Sequence, residues 1–244
     1  LVLSFFFLSC SQRQEKQANL NLVQYQGDAL AIEVVNNFLD RIGGREEWAE
    51  MKAAYVFGSQ QDSGFGSYQM EEWFDFSDSV LILNQIIEGE PNVRLVEKNE
   101  GWIVDAGALS NMDLKSLKFL KYWTSQNYFR RIVLLAKGEG LYLRYNSDGN
   151  LYVLSDDKEK FYFGLQFSNE GLPIVFKRNA FNTQNIDLSL DTWTEFQGVT
   201  IPTVWTALDD SFLLEIEEFV PCNKSSNECF SIDFDEKDLQ KYLK

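Results

Sequence analysis

Apolar and polar positions alternate with two periods along this chain. From Asp28 onward, Ile32, Val35, Leu39 and Ile42 recur at helical spacing and predict one amphipathic helix. Asp28 is its expected N-cap, Glu33 lies in its early turns, and Gly43-Gly44 ends it. Arg45 to about Lys52 predicts a short second helical turn carrying Trp48. Strand-like segments follow at 53–57, 64–76, 79–87, 93–98 and 102–105, with turns at 89–92 and 99–101. A further helix is predicted over about 112–125, capped by Ser110 or Asn111. Leu114, Leu117, Leu120 and Trp123 give it an apolar side, and Lys115, Lys118 and Lys121 a solvated one.

The rest of the chain reads as strands: 132–135, 141–145, 151–155, 161–168, 172–177, 186–192, 201–208, 212–220 and 230–234. Within 161–168, Phe161, Phe163, Leu165 and Phe167 alternate with Tyr162, Gly164, Gln166 and Ser168, a period-2 strand with one very apolar face. Asn146-Ser147-Asp148-Gly149-Asn150 is a hairpin signal. Turns about every 8–12 residues predict an antiparallel sandwich or barrel, and no linker or repeat divides 28–244, so a single domain is expected.

Composition narrows the function classes. The 244 residues carry 22 Lys and Arg against 37 Asp and Glu, a net charge of −15. A chain this acidic lacks the basic footprint that nucleic acid or anionic lipid surfaces require. Histidine is absent, which excludes Ser–His and Cys–His nucleophilic pairs, HExxH metal sites and a histidine proton shuttle. No nucleotide-binding glycine motif or calcium loop is present, so no cofactor or metal is expected. The acidic pairs Asp156-Asp157, Asp209-Asp210 and Glu217-Glu218 arise freely among 37 acids; a hydrolase using two of them is the enzymatic alternative.

The first ten residues, LVLSFFFLSC, are apolar but too few to span a membrane; they fit the core of an export signal, and polar sequence follows at once. Without an initiator Met or basic flank ahead of them, they predict a sequence that begins inside such a signal. Phe7-Leu8-Ser9-Cys10 resembles a bacterial lipobox, although Phe7 stands where Leu is more usual. Cys10 is therefore the expected lipidation site, with 11–27 as a polar tether to the membrane; an ordinary cleaved signal with an incidental Cys is the competing reading. If Cys10 is acylated, Cys222 and Cys229 remain as an even pair around a polar tip. A hairpin closed by their disulfide is expected in an oxidising envelope; two free thiols are the alternative, and two Cys alone do not complete a zinc shell.

Phe, Tyr and Trp number 20, 10 and 6, and much of this load lies in predicted strands. Such rings can fill a small barrel or line a cavity for a lipid or acyl chain, and both readings stand. Phe161, Phe163, Leu165, Phe167, Trp102 and Trp123 are the candidate lining residues.

The order of elements resembles the periplasmic lipoprotein-carrier and lipoprotein-receptor superfamily. The resemblance rests on the helix ending in Ile42-Gly43-Gly44, Trp48 and the next strand. Gly101-Trp102 before the 112–125 helix, Gly171-Leu172-Pro173, and Phe196-Gln197-Gly198-Val199-Thr200-Ile201-Pro202 add to it. It spans roughly residues 29–208. It implies a mainly β (α+β) fold, a curved antiparallel sheet forming a half-open barrel with the N-terminal and mid-chain helices as a lid. It further implies non-enzymatic binding of lipid or lipoprotein acyl chains, membrane attachment through the N-terminal anchor, and envelope protein partners. A filled, anchored interaction module is the alternative function.

Overall fold

The computed structural model describes residues 25–63, 66–76, 80–97, 99–178, 187–233 and 235–243. Cys10 and the expected signal and tether up to residue 24 lie outside the described residues. The chain opens with β1 (Gln26–Gly27), α1 (Ala29–Arg41) and α2 (Arg45–Glu50). It then runs through β2 (Ala53–Asp62), β3 (Gly66–Asp75), β4 (Val80–Ile87), β5 (Glu90–Glu97), β6 (Glu100–Asp105) and β7 (Ala108–Asn111). Helices α3 (Leu114–Ser125) and α4 (Tyr128–Lys137) follow. Next come β8 (Leu141–Tyr145), β9 (Asn150–Ser155), β10 (Phe161–Phe167), β11 (Pro173–Arg178), β12 (Leu188–Phe196), β13 (Val199–Ala207) and β14 (Phe212–Cys222). A short helix, α5 (Ser226–Phe230), and a 3-10 segment (Glu236–Tyr242) end the described chain.

All these strands form one sheet in the order β1-β8-β9-β10-β11-β12-β13-β14-β2-β3-β4-β5-β6-β7. Only the β1–β8 pair is parallel. β1 and β7 are the two edges, so the sheet curls without closing, and both edges are short, which limits stray strand pairing. The topology is two meanders, β2–β7 and β8–β14, joined along β14–β2, where ten Cα partners span the full strands. Helices α3 and α4 carry the chain from one edge of the sheet to the other.

Local chemistry explains the elements. Ala31, Val35, Phe38 and Leu39 form the buried stripe of α1. Its predicted N-cap is in place, but Asp28 does not cap; its Oδ2 accepts the Tyr145 backbone N–H at 3.2 Å and ties the helix start to β8. At the other end Gly44 N–H donates to Leu39 O at 2.8 Å, the long bond of a Schellman turn. Gly43 holds φ +112° there, and a Cβ on it would stand 2.3 Å from Gly198 O in the β12–β13 turn. The Thr200 N–H then donates to Ile42 O at 3.0 Å, fastening α1 to the sheet. Two hairpins, β4–β5 through Glu88-Gly89 and β6–β7 through Ala106-Gly107, turn on residue pairs with positive φ throughout.

Several expectations are corrected. Residues 132–135 are helical within α4, because Tyr128, Phe129, Ile132, Val133, Leu135 and Ala136 all fall on one helical face and the Asn127 side chain caps the first turn. Of the strand expected at 230–234, residue 234 lies outside the described residues, and 230–233 do not continue a hairpin. Ser225 and Glu228 form a capping box that starts α5 instead. The cap of α3 is Asp113, whose carboxylate accepts from Lys115 and Ser116 backbone N–H groups, not Ser110 or Asn111. Those two residues belong to β7, a strand too polar to be read from periodicity. The turn placed at 89–92 is the tighter Glu88-Gly89 pair, and β5 begins at Glu90. Strand β2 runs on to Asp62, well past 57, because β14 and β3 pair with it on both sides.

Two apolar layers result. The main core lies on the concave face, under the helices. A second, smaller cluster lies on the opposite face of β4–β6, where Ile82, Val93, Leu95 and Val104 are covered by Ile232 and Leu239. The Cys222–Cys229 disulfide forms and joins the end of β14 to α5, at the root of this covering segment.

Candidate functional site

The first turn of α4 occupies the centre of the concave face. The Phe129 ring lies 4.7 Å from Phe219 on β14, 5.3 Å from Trp205 on β13 and 6.3 Å from Phe74 on β3. Tyr128 beside it meets Phe176 on β11 at 5.4 Å and Trp205 at 5.5 Å. Strands from β11 round to β3 thus touch two adjacent residues of one helix, which only a strongly curled sheet allows. Edge-on and tilted ring pairs of this kind add ~0.5–1.5 kcal/mol each beyond area burial.

The six candidate lining residues divide. Phe163 and Leu165 are fully buried in the main core. Phe167 borders a groove of about 470 Å³ between α1 and the β10–β11 turn, with Val34, Asn37, Arg41 and Tyr145 among its walls. Its ring also packs 5.6 Å from Phe38. Trp123 borders an internal cavity of about 20 Å³ beneath the α3–α4 junction. Phe161 does not share the inward face: a register shift between Phe161 and Phe163 turns it toward Tyr152, 6.4 Å away, and Tyr162 packs on the core instead. Trp102 packs on the second cluster, because it pairs with Leu95 on the face away from the helices.

Sequence reading missed the polar side of the interior. Glu72 lies on the buried face of β3 between Met70 and Phe74 and is 5% exposed. Burial alone pushes its carboxyl up to about 8. Gln60, Gln126, Asn127 and Arg178 border the same small cavity. The Tyr128 hydroxyl is buried with no hydrogen-bond partner, and burial raises it well above the usual phenol range. The Arg178 guanidinium stacks over Trp123 at 4.7 Å, and burial lowers it to about 10, still cationic at neutral pH. The available signal was the period of β3: an acid at 72 falls in step with Tyr68, Met70 and Phe74.

The acidic pairs are all solvent-facing. Asp157 accepts from the Ser155 hydroxyl and the Glu159 N–H, and Asp209 from the Ser211 N–H at 3.1 Å, so these acids hold turns. Among the described residues no cluster of metal-ligating side chains occurs and no helix is long and apolar enough to cross a membrane.

Solved structures share this architecture. A DUF1329 family protein from Desulfovibrio piger ATCC 29098 aligns with 86% of this chain and 99% of its own, at 10% identity and a TM-score of 0.51. A putative outer membrane lipoprotein-sorting protein domain from Vibrio parahaemolyticus covers 86% of this chain and 98% of its own, at 10% identity and a TM-score of 0.46. A LolA superfamily protein from Nitrosomonas europaea covers 83% and 98%, at 11% identity and a TM-score of 0.45. No family model and no curated protein matches the sequence. At such identity the likeness is one of fold alone.

Proposed function

We propose that the protein is an exported, lipid-anchored envelope protein that binds a lipid or lipoprotein acyl chain on its concave face, without catalysis. The observation that carries this reading is that the concave face is covered by helices, α3 and α4, and not by strands closing on each other. Exposing Tyr128 and Phe129 costs about 3–6 kcal/mol, whereas burying an acyl chain of about sixteen carbons returns ~12 kcal/mol before ordering costs. Burial of a chain thus offsets the exposure of the two rings before ordering costs are counted. The half-open groove beside Phe167 supplies an edge at which a chain can enter. The disulfide supports export to an oxidising compartment, and Cys10 remains the proposed lipid attachment point.

The filled-interior alternative is favoured by a different observation. Leu114 and Phe119 of α3 are 65% and 44% exposed, an apolar surface suited to an envelope protein partner. Native mass spectrometry of the full chain, extracted gently from bacterial envelopes, separates the two. A reproducible added mass of a phospholipid or acylated species supports ligand binding. A clean apo mass together with a co-purifying protein supports the interaction module.

A further inference from the structure

The net charge of −15 argues against anionic surfaces for the chain as a whole, but the charge is unevenly spread. Residues 114–137, which make up α3 and α4, hold six of the 22 basic residues and none of the 37 acids. We infer that the solvent face of α3 is a docking surface for an anionic lipid bilayer. The inference goes beyond acyl binding and stands without it.

Three observations carry it. First, α3 has one side committed to the core and apolar residues on the other as well. Leu120 and Thr124 are buried, and Leu117 and Trp123 pack on the main core. The opposite arc holds Leu114, Lys115, Lys118 and Phe119, all exposed. Second, the cations of this arc are not neutralised nearby. Lys115 and Lys118 make no ion pair among the described residues. The carboxylate of Asp113, beside them in sequence, is committed to the helix cap, where it accepts from the Lys115 and Ser116 N–H groups and the Ser116 hydroxyl. Lys121 bends away and donates to Asn99 Oδ1 at 2.8 Å, in the β5–β6 turn that Glu97 and Glu100 flank. Charge complementarity therefore rests on Lys115 and Lys118. Third, lysines and apolar tips share a single arc. Leu114 and Phe119 can enter the acyl boundary of a bilayer while the lysine stems reach back to the phosphates, as in helices that lie in a membrane interface. At 0.1 M salt a charge is felt over about 10 Å, so acids on the far face of the sheet add little repulsion. An acidic protein is the competing occupant; the mixture of apolar tips and lysines on one convex arc favours the lipid surface.

The test uses the full chain carrying Cys10→Ser, so that no acyl anchor contributes. Vesicles are phosphatidylcholine alone, or phosphatidylcholine with about one-third phosphatidylglycerol. The apolar first residues are common to every variant and act on both vesicles alike, so the readout is the anionic-to-neutral ratio of partition. The ratio is expected to be about ten at ~0.1 M salt and to fall toward one at ~1 M, where the screening length shrinks to about 3 Å. Lys115→Gln with Lys118→Gln removes most of the preference. Lys137→Gln with Lys237→Gln, the same loss of charge at the far end of α4 and on the opposite face of the sheet, leaves it in place. Leu114→Trp adds emission that lipid brominated in its acyl chains quenches. Equal partition into the two vesicles, equal loss from the two lysine pairs, or no added quenching at position 114 overturns the docking surface. A dimer or a complex with an acidic protein that the Lys115 and Lys118 changes dissolve, without any vesicle preference, overturns it in favour of a protein partner. Monoolein, an acyl ester with a neutral head, reports the interior separately and is expected to bind the native chain and the Lys115 and Lys118 variant alike when vesicles are absent. Failure of monoolein to bind either overturns the acyl reading, while a ten-fold vesicle ratio still supports the docking surface.

Discussion

Position 43 has room for a hydrogen atom and nothing larger, since a Cβ there would meet Gly198 O at 2.3 Å and the backbone already holds φ +112°. Gly43→Ala is expected to destabilise the protein by about 2 kcal/mol or more, as a lower urea midpoint with unchanged slope, because strain and a backbone clash add. Gly44 lies next to it with φ +97° and open space around its Cβ position, so Gly44→Ala carries the strain alone and loses less. Glu72 makes the second residue-scale prediction. Its carboxyl is raised from 4.5 to about 8, so the folded chain holds a proton that the unfolded chain releases between those values. Its contribution is full below about pH 4.5 and is lost as pH rises toward 8, at no more than ~1.4 kcal/mol per pH unit. Glu72→Gln should therefore gain stability on the native protein as pH rises from about 5 to about 7.5, read as a widening difference in urea midpoints.

The disulfide and the segment after it act as one element. Cys222–Cys229 holds α5, and the following 3-10 segment lays Leu239 over Val93, Leu95 and Val104. Opening the loop of seven-residue separation by Cys222→Ser with Cys229→Ser is expected to remove about 2–3 kcal/mol. Leu239→Ala is expected to remove about 2–4 kcal/mol by leaving a hole over β5. Because both loosen the same covering segment, the combined variant should lose less than the sum, which a double-mutant cycle in urea reads directly. This element also shows which signals a sequence displays. Phe230 and Ile232 alternate as a strand would, but the local pair Ser225 and Glu228 decided the outcome by capping a helix. Helix α4 was hidden for the opposite reason. Ile132, Val133, Leu134 and Leu135 form an apolar, partly β-branched run that reads as a short strand, and only the wider window with Tyr128 and Phe129 shows the helical face. The period-2 strands and α1 were legible because their signals are local. The polar cavity was not, because Glu72, Gln126 and Arg178 meet only when the sheet curls.

At the scale of the whole molecule, curvature and plug are a single design: a sheet left open between β1 and β7, and one helical turn placed where a closed barrel would have its packed centre. Opening this interior requires the rings at 128 and 129 to leave together, since each touches the other and both touch Trp205. Phe129→Ala separates packing from binding. Losing a fully buried ring is expected to destabilise the free protein by about 3–5 kcal/mol, through lost burial and the hole left among Phe74, Trp205 and Phe219. The same hole lowers the work of admitting a chain, so monoolein should bind the variant more tightly than the native protein. Stabilisation by a ligand follows RT ln(1 + [L]/Kd), about 2.7 kcal/mol at a hundred-fold excess over Kd. The thermal shift on adding monoolein is therefore expected to be larger for Phe129→Ala than for the native protein. A destabilised variant with no ligand-dependent shift would mean that the rings at 128 and 129 are permanent core, and that the apolar surface of α3 is where the protein meets its partner.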